Sequence, residues 1–511
     1  MERPNQFVRF IPPGVLAFSL VAVYLSTIAP GLTWANNGSD GGDYISAAAT
    51  GGIAHPTGYP LYLLLARLFQ FLPVGSLAFR TNLLSAFAVM SAAVLLYGLV
   101  TRSLSPSNPN KYWLPGLVSG LAFGLAPLIW AQALTTDVHG LHALFVVLLL
   151  YLSVNPLSIH FTQERQDRLL GLTFGLSMGN HVTTILLLPI ILFTTIRRNP
   201  TLPQEKHWYD GWRLDGRSLL RRLIWLGGGL LVYLSLPLRA FTHPPVNWGN
   251  PINLDGFIWL VSGSLYQRLL LNLTFLSFLD RVRAAAALLL GQFGVIGLIV
   301  SLIGLIVYFR PNRLYFSMLW IVVVTSAFAI GYATTDAFDY LIPAFVCFAV
   351  WIGMGLDGLM RSASSRRISI IIKPLMSLLL ILVLLFQAWK NWPQVDASHD
   401  MRAESFGRAV LSIAPANAIV FANGDQAVFA LWYFQYALRE RPDLTIVATS
   451  LLQFKWYLQT LHSTYPTLNL SAPFPFTETV VEANPDRPVC YVQYDQAAEI
   501  NCLPAGVSQS P

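Results

Sequence analysis

An α-helical polytopic membrane protein with a small α/β domain outside the bilayer is the fold class that this 511-residue sequence predicts. Three observations predict it. Hydrophobic residues make up 54% of the chain and charged residues only 11%, against roughly 25% charged in a soluble domain. Apolar runs of spanning length recur from residue 11 to residue 389, a hydrocarbon core of about 30 Å requiring about 20 apolar residues. Beyond residue 390 the pattern changes to short strands alternating with helices. A chain this poor in charge is not a cytosolic enzyme, a disordered chain or a compact nucleic-acid-binding protein, and no nucleic-acid partner is expected. The formal charge of +7 therefore reads as a topology signal.

The runs 11–30, 80–100, 113–131, 138–154, 223–238, 286–308, 314–332, 340–360 and 368–389 each predict one span. The run 169–196 is too long for one and is broken at Gly179-Asn180-His181, with Arg168 before it and Arg197 and Arg198 after it. It predicts a hairpin of two short helices, bringing the expected total to about eleven spans. The first run follows Arg3 and Arg9 but no convincing cleavage site follows it, so it reads as a retained anchor.

Segments 1–10, 101–112, 155–168, 197–222, 309–313 and 361–373 together carry 19 of the 32 Lys and Arg residues. The intervening connections 132–137, 180–181 and 333–339 carry none. By the positive-inside rule the N-terminus is cytoplasmic. The multi-span region 1–389, with its outer loops 31–79 and 239–285, then precedes an extracytoplasmic domain over 390–511, all in the plasma (inner) membrane. In that domain Ile419–Ala422, Thr445–Thr449 and Val489–Val492 predict strands, and Ala427–Leu438 and Gln453–Leu461 helices. Gly424 reads as a turn and Asp425 as a helix cap, with ligand contact by Asn423-Gly424-Asp425 as the alternative. Cys347 lies in a span, whereas Cys490 and Cys502 can pair in an oxidising compartment.

Ionisable groups are nearly absent from mid-span positions, which argues against a proton-coupled transporter. They gather instead on the outer face: Asp40, Asp43 and His55; Asp137 and His139; Asn180 and His181; Arg239 and His243; Asp336 and Asp339. Because Lys and Arg alone set the topology, this grouping is a partly independent sign of a reaction centre. If a helix begins near Asp40, Asp40 and Asp43 share one face, and one carboxylate can act as base while the other orients it. The structural alternative is that Asp40 caps that helix and Asp43 favours its dipole. His55-Pro56-Thr57-Gly58-Tyr59-Pro60 forces a turn into an apolar helix, where His55 binds substrate or supports the turn.

At these residues the sequence resembles the bacterial branch of the transmembrane O-mannosyltransferase family, catalogued as a domain of unknown function. The resemblance rests on Asp40-Gly41-Gly42-Asp43, on "HPTGYPLY" and on "RTNLLSA". It continues through "SMGNHVTTILLLP" (177–189), "LPLRA" (236–240), "HPPVNWGNP" (243–251), "DYLIP" (339–343) and "NGDQAVFALWYFQ…RPD" (423–443). It implies the GT-C type of membrane glycosyltransferase: many spans, a catalytic acid in the first outer loop and a polyprenyl-phosphate-linked sugar donor. The family pattern has glutamate where Asp43 stands, so the division of labour between the two acids is open.

The implied reaction is an inverting transfer of a sugar to a hydroxyl of a protein or glycan acceptor at the outer face. Asp40 is the expected base. Arg239 can contact the donor phosphate bidentately or snorkel at the interface. His55, His139, Asn180, His181, Asp137 and Asp339 are expected to bind donor or acceptor, with helix capping as the alternative for Asp137. Trp248 can stack on a sugar ring or anchor at the interface. Five acids on one face could hold a divalent ion, but their spacing does not demand one, and no cofactor is expected. The alternatives from other classes are a lipid-linked-sugar flippase or transporter, and a non-catalytic membrane scaffold.

Overall fold

The computed structural model describes residues 10–106, 108–153, 162–198, 212–309, 312–334, 336–362, 366–470 and 476–506. Parts of the Lys- and Arg-bearing segments fall outside them. Helix α1 (Ile11–Thr27) leads into a 3-10 turn at Ala35–Asp40, then α2 (Gly41–Thr50) and α3 (Pro60–Gln70). The bundle continues with α4 (Leu77–Leu104), α5 (Trp113–Gly124), α6 (Pro127–Leu134), α7 (Val138–Ser153), α8 (Gln163–Asn180) and α9 (Leu188–Thr195). A short ribbon, β1 (Ile196–Arg198) with β2 (Trp212–Leu214), precedes α10 (Gly216–Leu230) and α11 (Ser235–Ala240). Then come α12 (Leu254–Val261), α13 (Phe275–Val307), α14 (Arg313–Gly331), α15 (Ile342–Ser362) and α16 (Arg366–Val395).

The chain is an integral multi-pass membrane protein. Six described helical segments are long and apolar enough to cross a bilayer, or seven if α5 and α6, bent by 66°, count as one. The other expected crossings fall on the shorter apolar helices at 11–27, 138–153 and 182–195 and on α8, whose first two turns (Gln163-Glu164-Arg165-Gln166-Asp167-Arg168) are polar. The bend between α5 and α6 follows from Pro127, which cannot donate to the preceding turn. Helix α13 starts well before the expected 286 and breaks at Gly294, where φ is 63°.

The 169–196 run does fold back on itself. Arg222 of α10 donates from Nε to Asp167 Oδ1 at 2.9 Å and from Nη1 to the Ile191 carbonyl at 3.0 Å. The start of α8 and the end of α9 therefore lie at one level, and the break at Asn180-His181 is the tip. Arg221 adds a second contact to Asp167 at 2.9 Å, so the buried acid is paired from both sides as burial requires.

After α16 come α17 (Arg402–Ile413), β3 (Ile419–Asn423), α18 (Asp425–Trp432), β4 (Thr445–Ala448), α19 (Lys455–Thr464), α20 (Thr477–Glu482), β5 (Val489–Asp495) and β6 (Ala497–Leu503). The sheet order is β4-β3-β5-β6, with β3 parallel to β4 and β5 and β6 antiparallel to β5. The three expected strands are present. Helix α18 starts at Asp425 and continues through a π-helical turn at Tyr433–Ala437. Helix α17 and strand β6 were not expected. Strand β6 shows only a weak alternation, and all seven of its residues are half-buried or exposed. Cys490 and Cys502 face each other in the β5–β6 register and form a disulfide.

Two apolar cores hold the molecule together. One lies within the bundle. The other runs without interruption from the first loop (Trp34, Tyr44) through the second (Val246, Trp248) into the C-terminal sheet and helices (Phe406, Phe421, Trp432). Asp400 reinforces this junction: its Oδ2 accepts from the backbone N–H groups of Trp34 at 2.9 Å and Ala35 at 2.7 Å. The same oxygen accepts from Thr33 Oγ1 at 2.6 Å. Burial alone would raise its carboxyl, but Arg402 and Thr33 stabilise the ion and hold it down to about 2.

Candidate active site

The Lys- and Arg-free connections converge at one end of the bundle, where the C-terminal domain is docked. Asn82, within "RTNLLSA", donates to the Ala29 carbonyl at 3.0 Å and accepts from Thr136 Oγ1 at 2.6 Å. Ser85 donates to the Asp137 carbonyl at 3.3 Å. Asn180 donates to the Val138 carbonyl at 3.2 Å. These bonds bring the end of α1, the start of α4, the α6–α7 connection and the hairpin tip together.

Within the first loop, Gly58 N–H donates to the His55 carbonyl at 2.8 Å, and Gly58 and Tyr59 take positive φ values of 83° and 44° before Pro60 opens α3. This is the turn that the His-Pro-Thr-Gly-Tyr-Pro string dictates, Gly58 being free to adopt that conformation. Ile53 pairs with Asn247 of the second loop: Ile53 N–H donates to the Val246 carbonyl at 2.9 Å. That bridge delivers Trp248 to Asp43.

Asp43 is fully buried, and both its oxygens are occupied. Oδ2 accepts from the backbone N–H and the Nδ1–H of His55, each at 2.8 Å. Oδ1 accepts from Trp248 Nε1 at 3.1 Å. With Nδ1 fixed, His55 Nε2 faces Tyr44 Oη at 3.3 Å and Asp40 Oδ2 at 3.6 Å. Asp40 keeps 38% of its side-chain surface exposed. It stands at the N-cap of α2 but makes no side-chain capping bond, so the capping alternative fails for it.

Burial pushes the Asp40 carboxyl up, to about 6; His55 opposes this, and Asp137, Asp425 and Asp43 add to it. Burial alone would depress His55, but Asp40 and Asp43 outweigh it and hold the imidazolium up to about 9. At pH 7 the arrangement is an ionised, accessible carboxylate beside an imidazolium that a buried carboxylate orients.

Trp248 departs from expectation. Both earlier readings, sugar stacking and interfacial anchoring, require a surface position, yet it is only 4% exposed, enclosed by Phe429, Trp432 and Trp456. The Ile53–Asn247 bridge draws it inward, where its N–H meets a buried carboxylate. Asp137 caps α7, accepting from His139 N–H at 2.8 Å, which is its alternative reading. Arg239 is half-buried and donates from Nη1 to the Gly52 carbonyl at 3.0 Å. It therefore braces the first loop rather than simply snorkelling. Asp339 is buried within electrostatic reach of His139, Asp137 and Asp40, whereas Asp336 is exposed.

His139 and His181 come together with ring centroids 5.0 Å apart. A third imidazole, His142, lies 4.8 Å from His181 and was not anticipated. Its signal was present, since residues three apart on a helix share a face. Asp425 was likewise set aside as a cap. It makes no side-chain capping bond, the N-cap being Gly424 with φ at 81°. Burial raises its carboxyl, His55 opposes that, and Asp43 adds to it, placing it beside the Asp43–His55 pair. Helix α18 comes this close because Gly42 lacks a side chain: a Cβ there would sit 2.3 Å from the Phe429 carbonyl oxygen. Phe429 in turn stacks on His55, the rings 14° from parallel.

A helical bundle with its acids at one end, beneath a docked α/β domain, defines a polytopic membrane protein of the GT-C fold. Its structure is similar to ArnT from Cupriavidus metallidurans bound to undecaprenyl phosphate, with a TM-score of 0.59 at 12% identity over 94% of this chain and 92% of that one. It is also similar to the Archaeoglobus fulgidus oligosaccharyltransferase tethered with an acceptor peptide, at 0.53 and 12% over 89% and 68%. Residues 40–204 match the Protein O-mannosyl-transferase TMEM260 N-terminal domain, and 403–500 the TMEM260-associated domain 2. The chain thus has the GT-C fold and is similar to O-mannosyltransferases of the TMEM260 type over two separate segments. It is 28% identical to the mouse Protein O-mannosyl-transferase TMEM260 over 86% of its own length and 63% of that protein's. For the Dictyostelium discoideum Protein O-mannosyl-transferase tmem260 the values are 23%, 87% and 58%. The chain thus spans about three-fifths of the length of these curated relatives.

Proposed function

We propose that this protein is an inverting membrane glycosyltransferase, moving a sugar from a polyprenyl-phosphate donor to a hydroxyl of a protein or glycan acceptor. The observation that carries this reading is the accessible, non-capping Asp40 carboxylate beside the Asp43-oriented His55. Asp40 takes the acceptor proton as the hydroxyl oxygen attacks the anomeric carbon. The bond from that carbon to the phosphate oxygen breaks on the opposite face, and its electron pair leaves with the phosphate. Asp43 cannot share the base role, because both its oxygens are already engaged and none of it is exposed.

Arg239, with Nη1 on the Gly52 carbonyl, is the cation we assign to the developing phosphate charge. The reaction is assigned to the outer face. The Lys and Arg distribution supports that, as does the Cys490–Cys502 disulfide, which belongs to an oxidising compartment. By the same Lys and Arg signal we assign the N-terminus to the cytoplasm, and the plasma (inner) membrane follows from the bacterial resemblance alone. The names of the relatives make mannose the first sugar to try. The test is incubation of the purified protein in lipid nanodiscs with a panel of polyprenyl-phosphate sugars and acceptor peptides. Sugar transfer, or slow donor hydrolysis without acceptor, is expected, both absent in Asp40→Asn. No turnover of any donor by the wild type would refute the reading.

A further inference from the structure

The sheet of the C-terminal domain has two outer edges, β4 and β6, and they differ in one respect. An exposed edge offers unpaired N–H and C=O groups to any extended chain, so proteins ordinarily guard it. On β4 the guard is a pair of hydroxyls: Tyr465 Oη accepts from Ile446 N–H at 3.2 Å, and Tyr457 Oη from Ala448 N–H at 2.7 Å. Strand β6 has no such guard. Among the described residues no group hydrogen-bonds to the backbone of its outer edge. Its sequence, Ala-Ala-Glu-Ile-Asn-Cys-Leu, carries no lysine or proline, and it pairs with β5 residue for residue, without a bulge. Ala497, Ala498 and Glu499 are exposed. The Cys490–Cys502 disulfide ties the strand to β5, so the edge is set in place before anything pairs with it.

What fits such an edge is an extended polypeptide, joined through main-chain hydrogen bonds. A second copy of the chain is a poor occupant. The seven residues of β6 offer about 23 Å of edge, far too little for a stable dimer, which buries about 1,200–2,000 Å². The edge also leads to the reaction centre. Ala498 of β6 pairs with Tyr494 of β5, and Tyr494 packs on Trp34 with ring centroids 4.3 Å apart. Trp34 opens the 3-10 turn that ends at Asp40. At the same end of the sheet Asn423, the last residue of β3, donates to Gln493 Oε1 at 3.4 Å, and Asp425 follows within electrostatic reach of His55. Asp495 and Glu499 are exposed there, so a basic side chain opposite them is favoured over an acidic one.

We propose that β6 is the dock for the acceptor: an extended stretch of the acceptor polypeptide adds to its outer edge as a further strand and carries a serine or threonine hydroxyl to Asp40. This rests on the transferase reading above and narrows its acceptor to a polypeptide read through its main chain. The test uses the full-length protein in nanodiscs and a short fluorescent peptide of alternating threonine and valine with a central lysine, followed by fluorescence anisotropy. Strand pairing engages every second residue of the added strand. N-methylating one alternate set of the peptide's backbone amides should therefore weaken binding about tenfold or more, and methylating the other set should leave it nearly unchanged. Glu499→Lys, at an exposed position, should reverse the preference for a central lysine over a central glutamate. Equal losses from both methylated sets, or no loss from either, would overturn the strand pairing, and an unchanged preference in Glu499→Lys would overturn the placement on β6. Wild-type dimers that the peptide dissociates would put a second copy on the edge and overturn the acceptor assignment. Absence of peptide binding by protein that still hydrolyses a donor would overturn the dock alone, whereas no turnover of any donor is the separate failure of the transferase reading.

Discussion

Replacing Asp40 and Asp43 each by asparagine separates catalysis from architecture. Asp40 makes no capping bond and keeps 38% of its side chain exposed, and asparagine is an equally good N-cap residue. Asp40→Asn should therefore unfold at the wild-type temperature. It cannot accept a proton, and loss of a general base costs about 10²–10⁴-fold in rate. Asp43 is the opposite case. It is fully buried and accepts three N–H bonds, one from the His55 ring. Asparagine removes the charge and turns an amide N–H₂ toward donors. Breaking a buried ionic pair by removing one partner costs about 3–5 kcal/mol, so Asp43→Asn should melt measurably earlier and lose activity through a misplaced His55. The assays are sugar transfer in nanodiscs and thermal unfolding of the same preparations. Wild-type transfer by Asp40→Asn would refute the base assignment. A lowered melting temperature in Asp40→Asn, with none in Asp43→Asn, would refute the division of roles.

The transfer rate should follow a bell in pH, rising as Asp40 ionises near 6 and falling as His55 loses its proton near 9; a flat profile from pH 5 to 10 would exclude the pair. Because the folded pKa of His55 lies above its ordinary 6.5, its contribution to stability is complete below 6.5 and is lost as pH rises through about 9, which pH-dependent unfolding of wild type against His55→Ala would reveal. Arg239→Ala should weaken donor binding ten- to a hundredfold, as expected for a charge-assisted contact of about 1.5–3 kcal/mol; unchanged affinity would leave Arg239 a brace for Gly52 alone. Reporters fused at residues 5 and 511 should report opposite sides of the membrane, and Cys490 and Cys502 should resist maleimide until reduced. The same compartment at both ends would break the odd number of spans.

Much of this molecule was legible in its sequence because membranes impose simple arithmetic. Apolar length set the helices, the hairpin tip fell at the one polar break in a run too long for a single span, and the Lys- and Arg-free connections were indeed brought together. The string from His55 to Pro60 dictated its turn, since proline and glycine fix backbone angles locally. What the pattern missed were elements whose signal is weak or split. Strand β6 is largely uncovered and alternates poorly. Helix α13 extends through a Gly294 break into polar sequence. The first turns of α8 are polar because Asp167 is paired inside the bundle.

The composition and order of the site were thus determined by the sequence: two acids three residues apart, a histidine twelve residues beyond Asp43, and partners at the ends of later helices. Which acid does which work was decided only by tertiary structure. Asp40 and Asp43 carry the same charge, and nothing local distinguishes them. The Ile53–Asn247 bridge brings Trp248 onto Asp43 from 205 residues away, and Gly42 lets α18 press Phe429 against His55. Those contacts bury one carboxylate and leave the other open. Burial and partnership depend on the whole fold, and they, rather than residue type, set the protonation and reach of a carboxylate.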